Sequence, residues 1–204
     1  MARTDTLGET LADAGELDCD VLVVGGGAAG LSAATFLARY GLDTLVLSRG
    51  KSAIMQCAHL ENYLGFPGGL PPDRFVELGR RQAEHAGATV REELVEAVAR
   101  TDLPSRKTPA VDTQGEAPGT GGFAVETDEG SYETRYVLLA TAYDGDMLDA
   151  FGSEIETDDE YGFVATDDGR TGVEGLYAAG WMTDETVHQA VVSAGHGGEA
   201  ALAL

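Results

Sequence analysis

The sequence predicts an α/β fold of the doubly wound type, with a central parallel sheet. Three observations predict it. Residues 20–24, DVLVV, and 43–48, DTLVLS, each carry a continuous apolar stretch, the pattern of strands buried on both faces. A helical segment over 28–40 lies between them, so the pair reads as a βαβ unit with parallel strands. A glycine turn, Gly25-x-Gly27-x-x-Gly30, joins the first strand to that helix.

The remaining elements follow in chain order. Gly41 stands where a helix over 28–40 needs its C′ residue. Residues 50–70, rich in Gly, Pro and Asn, read as irregular. PPDRFVELGRRQAEHAG (71–87) predicts a helix with proline at its start and glycine at its end. Its buried stripe is Phe75, Leu78, Ala83 and Ala86, and Glu77 and Arg81 are spaced to pair. Residues 88–100 predict one or two strands, and 103–122 a loop. FAVETDEGSYETRYVLLAT (123–141) predicts a hairpin turning at Asp128–Gly130, its second arm running into a buried strand. Residues 143–160 are acidic and poorly periodic. GLYAAG (175–180) predicts a last short strand, and 185–204 a closing helix. Ala190, Ala194, Gly197 and Ala201 give that helix a small-residue face, expected to lie close against helix 28–40.

With 204 residues the chain suits one domain with a full core. The expected layout is an acidic tail over 1–17 and a single domain over 18–204. The first twenty residues lack a basic stretch followed by an apolar one, and no apolar run is long enough to cross a bilayer. The expectation is a cytoplasmic protein that does not engage a membrane. Asp and Glu number 35 against 13 Lys and Arg, a formal charge of −22. Such a field repels nucleic acid, so none is expected as a partner. The acids are spread along the whole chain, which points to a salt-rich, halophilic cytoplasm rather than to a docking patch. At ~1 M salt the Debye length is about 3 Å and self-repulsion is screened.

The glycine turn carries the clearest chemistry. Gly25 permits the tight turn, Gly27 lets backbone approach a pyrophosphate, and Gly30 lets helix and strand pack closely. Ala28 and Ala29, in the helix's first turn, present backbone N–H groups to the anion. This is the Rossmann-like signature for FAD or NAD(P). The acidic residue that usually grips the ribose is missing: the second strand ends at Ser48. Arg49 beside it would suit a 2′-phosphate, hence NADP.

Three further segments carry a family likeness. QCAHLENYLGFPGGL (56–70) resembles the flavin-contacting segment of low-molecular-weight thioredoxin reductases. YVLLATAYDG (136–145) resembles their ATG strand end, and residues 171–202 resemble their closing segment. The resemblance implies an FAD-binding domain with a β-meander beside the parallel sheet. It implies that Gly25, Gly27 and Gly30 meet the pyrophosphate and that Ser48 is at the ribose. By the same likeness Gln56 and Asn62 lie by the flavin or ribityl chain. Gly180 covers the ribityl and pyrophosphate, and Gln189 and Ala190 begin the last helix under the pyrimidine edge.

The departures bear on function. Family members insert an NADPH domain with its own glycine loop and a Cys-x-x-Cys between the ATG strand and the closing segment. Here residues 143–160 stand at that place, and the chain has neither a second GxGxxG nor a Cys-x-x-Cys. Trp181 replaces the aspartate that bonds the ribityl chain, and ATA replaces ATG. Trp181 either stacks on the cofactor or plugs the gap left by the missing domain.

Two cysteines make no disulfide framework. Cys19 reads as structural. Cys57 is either a redox thiol by the flavin or, as favoured, a small buried hydrophobe. His188 either senses flavin charge or faces solvent. His196 is expected to pack, and His59 and His85 carry no specific signal. No metal-ligand spacing links these residues, so no metal is expected. The leading function is an FAD-dependent oxidoreductase without its own NADPH domain, exchanging electrons with a partner protein or small-molecule acceptor. A non-catalytic dinucleotide-binding module or subunit is the alternative. A third reading is a chain that has lost FAD and binds an adenine nucleotide or nothing. A second copy of the chain is a candidate partner.

Overall fold

The computed structural model describes residues 17–103, 121–141, 146–157, 163–184, 187 and 189–204. The acidic tail over 1–16, most of the 103–122 loop, residues 143–145 and 158–160, and His188 lie outside the described residues.

Strand β1 (Cys19–Val24) is followed by helix α1 (Ala28–Arg39) and strand β2 (Thr44–Leu47). Helix α2 (Pro72–Ala86), strands β3 (Thr89–Arg91) and β4 (Val95–Asp102), and the hairpin β5 (Gly121–Thr127) and β6 (Ser131–Leu139) come next. Strand β7 (Leu176–Ala178) and helix α3 (Ala190–Ala203) close the chain. The order across the sheet is β3-β2-β1-β6-β5-β4, with β7 also on β6.

Strand β6 is the pivot. Its first half pairs antiparallel with β5, from Phe123↔Thr134 to Glu126↔Ser131. Its second half pairs parallel with β1 and β7, as in Val23↔Leu138 and Leu138↔Tyr177. One long strand therefore belongs both to the β4-β5-β6 meander and to the parallel sheet. Strand alternation then divides the core. Val21, Val23, Val46 and Leu138 pack against the helices, with Leu31, Leu37, Ala83 and Ala200. Leu22, Leu45, Leu47 and Leu139 face the other way, onto Val98, Phe123 and Val125. That second face is covered by the meander and by residues 146–154 rather than by α-helices.

Helices end where their sequences direct. Gly87 is left-handed at φ +115 after α2, and Gly41 at φ +85 stands one residue beyond the Tyr40 cap of α1. The α2 stripe differs in part from expectation. Ala83 is fully buried, while Phe75, Leu78 and Ala86 are half-buried. Glu77 bonds Arg74 at 2.5 Å more closely than it meets Arg81 at 3.9 Å.

Several boundaries are corrected. Leu17 is buried, so the core begins inside the expected tail. Strand β5 starts at Gly121, and a Cβ on Gly122 would fall 2.1 Å from buried Leu103, so both ends of the expected loop belong to the meander. Residues 50–70 contain a 3₁₀ turn, Ala53–Gln56, and a Leu60–Leu70 bridge. Residues 146–154 are 3₁₀, bent at Gly152, and bury Met147, Leu148 and Phe151. The acidic segment thus supplies core to the face that lacks helices. Helix α3 starts at Ala190 rather than 185, because Gln189 holds extended backbone as its N-cap.

Candidate functional site

A cavity of about 800 Å³ opens at the C-terminal ends of the parallel strands, the usual ligand position in an open α/β sheet. Its floor is the β1–α1 turn. Gly25 sits at φ +111, and a Cβ there would meet the Ala140 carbonyl at 2.5 Å. A Cβ on Gly30 would lie 1.9 Å from the Gly25 carbonyl, so α1 can start this close to the turn only with glycine. Gly27 caps α1 with no side-chain hydrogen bond, and the first turn holds no acid. The N–H groups of this turn and the positive end of the helix dipole can therefore receive an anion in the cavity.

One end of the cavity is built by the strand termini. The Ser48 N–H donates to the Arg91 carbonyl at 3.1 Å, and a Cβ on Gly26 would touch the Ser48 hydroxyl at 2.7 Å. Arg49 lines the cavity but is already engaged by the hairpin. It pairs with Asp128, lies 3.4 Å from Glu129 and donates to the Glu92 carbonyl at 3.2 Å. The hairpin turn is thus tied to the end of β2, and these contacts compete with any phosphate for the guanidinium. Glu93, only 9% exposed, also lines this end.

The other end is built by loops. The 3₁₀ turn anchors Ile54 in a cluster with Leu60 and Leu70, which leaves Gln56, Cys57, His59 and Asn62 exposed along the cavity. The Asn62 amide donates to the Gln189 side-chain oxygen at 2.8 Å, linking this loop to the start of α3. Helix α3 has no side-chain cap bond, and Gln189, Ala190 and Ser193 line the cavity. A second helix N-terminus therefore faces the same space.

The cavity gathers Gly25, Gly27, Ala28, Ala29, Ser48, Arg49, Gln56, Asn62, Trp181, Gln189 and Ala190. Gly30 and Gly180 stand behind its wall. A Cβ on Gly180 would meet Ala29 Cβ at 2.7 Å, so its absence lets the closing strand pack against α1. The small face of α3 does meet α1: a Cβ on Gly197 would be 2.0 Å from the Ala29 carbonyl.

Cys57 corrects the favoured reading. It is exposed on the cavity and not a buried hydrophobe. Cys19 is buried, and burial pushes its thiol up to about 12. Its Sγ lies 3.5 Å from Thr134 Oγ1. His59 also lines the cavity, although nothing in its sequence context singles it out. Glu93 was missed as well. In a chain with 35 acids, only burial distinguishes one of them, and burial is a tertiary property. Among the described residues no group of His, Cys, Asp and Glu is arranged for a metal, and no helix is long and apolar enough to cross a membrane.

The residues present fit a dinucleotide. The volume is that of a large ligand pocket, the glycine cradle excludes side chains, and two helix N-termini supply N–H donors. The fold and site thus define a dinucleotide-binding α/β domain. The "FAD binding domain" family model matches residues 18–57. The thioredoxin reductase of Treponema pallidum is 33% identical over 129 residues, covering 62% of this chain and 36% of that protein. The thioredoxin reductase of Aquifex aeolicus is 41% identical over 71 residues, 34% of this chain and 22% of that protein. The chain thus spans well under half the length of these relatives. Among solved structures, a thioredoxin reductase from Gloeobacter violaceus shares the fold with a TM-score of 0.73 at 19% identity, covering 92% of this chain and 94% of that one. That of T. acidophilum gives 0.70 at 19% identity, over 92% and 97%. The chain is thus similar in fold to thioredoxin reductases and in sequence to part of them, and the family model that matches its glycine turn describes an FAD binding domain.

Proposed function

We propose that this chain is an FAD-dependent oxidoreductase that exchanges electrons with a separate redox partner, a protein or a small molecule, through one domain over 18–204. The observation that carries the reading is one cavity onto which two helix N-termini without side-chain cap bonds open, α1 at the glycine turn and α3 beyond Gln189. The α1 terminus suits the pyrophosphate. The α3 terminus and the Gln56–Asn62 segment suit the flavin end.

The bound flavin supplies the redox chemistry. The chain's own residues hold and tune it. The N–H groups at the start of α3 would offer positive potential to a flavin held at that end and so favour its reduced, anionic form. The Asn62–Gln189 bond fixes the loop against that helix. Trp181 walls the cavity next to Gly180. With no Cys-x-x-Cys and no second glycine loop in the chain, the dithiol and NADPH routes of thioredoxin reduction fall outside this reading. A non-catalytic FAD module is the second reading. It is favoured by Trp181, a bulky ring on the cavity where the resembled segment has an aspartate.

The test is the visible spectrum of the protein purified in molar salt, the condition its charge suits. Flavin near one per chain, reduced by light and reoxidised by an added acceptor, supports the oxidoreductase. Bound flavin that no acceptor reoxidises supports the module. A colourless protein that ignores added FAD overturns both. Rapid bleaching by NADPH would overturn the inference of a separate electron source.

A further inference from the structure

The ribose end of the cavity lacks the carboxylate that its strand position usually provides: β2 ends in Ser48, whose hydroxyl is a weaker acceptor than a carboxylate. The structure holds a carboxylate at the same end, on a different element. Glu93 follows β3, two residues beyond Arg91, whose carbonyl receives the Ser48 N–H. It lines the cavity together with Ser48 and Gly26, and it is 9% exposed. A carboxylate is rarely buried unless its oxygens are partnered.

Its partners are specific. Tyr132 OH donates to both Glu93 oxygens, at 2.7 and 2.9 Å, and the Thr127 hydroxyl donates to Oε2 at 3.0 Å. Arg91 in turn donates to Tyr132 OH at 2.9 Å and lies over its ring. All of these donors come from the hairpin or from β3. They fix the carboxyl group in place and leave acceptor capacity, since an ionised carboxylate offers about four lone-pair sites. A ribose presents two hydroxyl donors.

We infer that Glu93 is the ribose-binding carboxylate of this domain, accepting hydrogen bonds from the adenosine ribose hydroxyls in the role that the strand-end acid has elsewhere. The inference rests on the FAD-binding reading and adds a residue to it. Acceptor geometry then explains why Ser48 is tolerated at the end of β2. It also gives the β5–β6 hairpin a function, because Thr127 and Tyr132 hold the acceptor still.

The experiment is a calorimetric titration of the wild-type chain and Glu93→Gln, after removal of any bound flavin, with ADP and with 2′,3′-dideoxy-ADP. The wild type is expected to bind ADP roughly ten- to a hundredfold more tightly than the dideoxy analogue, the range for hydrogen bonds to a charged group. Glu93→Gln is expected to lose most of that ratio while its affinity for the dideoxy analogue stays close to wild type. A merely structural role would weaken both ligands alike and leave the ratio intact. A wild-type ratio near one, or a large ratio that survives in Glu93→Gln, overturns the inference. Wild-type protein that binds neither ADP nor FAD sinks the FAD-binding reading instead. A crystal structure of the wild type with ADP decides the matter even if the variant does not fold. A Glu93 carboxyl within hydrogen-bond distance of the ribose supports the assignment, and one beyond it refutes it.

Discussion

The two ends of the cavity are built by opposite means. The β1–α1 end is backbone against backbone: Gly25 on Ala140, Gly30 on Gly25, Gly197 on Ala29, with no room for a single methyl group. The Gln56–Asn62 end is side chains on loops. Gln56, Cys57, His59 and Asn62 are exposed, and Gly65 and Gly68 have nothing within 4 Å of an added Cβ. The difference teaches that one end is fixed by backbone packing and resists change, while the other rests on a small apolar cluster and a hydrogen bond, with its exposed side chains free to vary.

The sharpest way to break this contrast is to add volume at both ends. Gly197→Val should cost about 3 kcal/mol or more, or prevent folding, because the Ala29 carbonyl is backbone and cannot turn aside. Gly68→Ala should change the denaturant midpoint by less than about 0.5 kcal/mol of equivalent stability. Equal losses at the two sites would end the distinction.

The two thiols sharpen it next. Burial raises the Cys19 thiol from 9.0 to about 12. The unfolded chain therefore releases this proton first, and the folded chain keeps it until the higher pH. The contribution of Cys19 is complete below about pH 9 and falls between there and about pH 12, by at most about 1.4 kcal/mol per pH unit. Denaturation across this window should show a shallower decline for Cys19→Ala than for wild type. A thiol reagent at neutral pH should modify Cys57 in the folded protein and reach Cys19 only on unfolding, and bound FAD should slow the reaction at Cys57. Rapid labelling of two thiols in the folded state would contradict the burial of Cys19.

A smaller effect is expected at Asn62. Removing its exposed bond to Gln189 with Asn62→Ala should cost about 1 kcal/mol or less in stability. On the proposed placement of the flavin beside this loop, FAD affinity should fall more than ADP affinity. An equal fall in both would place Asn62 at the wrong end. Least of all should come from Arg80→Ala, which breaks the exposed pair with Glu84 at 2.9 Å for at most about 0.5 kcal/mol. Fluorescence-detected urea unfolding reads both.

By itself, the sequence determined the parts that short-range chemistry dictates. The apolar runs of β1 and β2 can be satisfied only between two layers, the glycine turn admits nothing larger, and proline and glycine mark the ends of α2. It also determined the α1–α3 contact, since a helix face of Ala and Gly has little use except close approach. Only the tertiary structure decided the rest. The acidic 146–154 segment buries Met147 and Phe151 because the meander leaves a face uncovered, a need that no local pattern expresses. Arg49 is occupied by Asp128 through a hairpin some eighty residues away along the chain. Glu93 is one acid among 35 until Tyr132 and Thr127 close over it. Burial and partnership arise between distant segments, so they are written in the packing and not in any short stretch of residues.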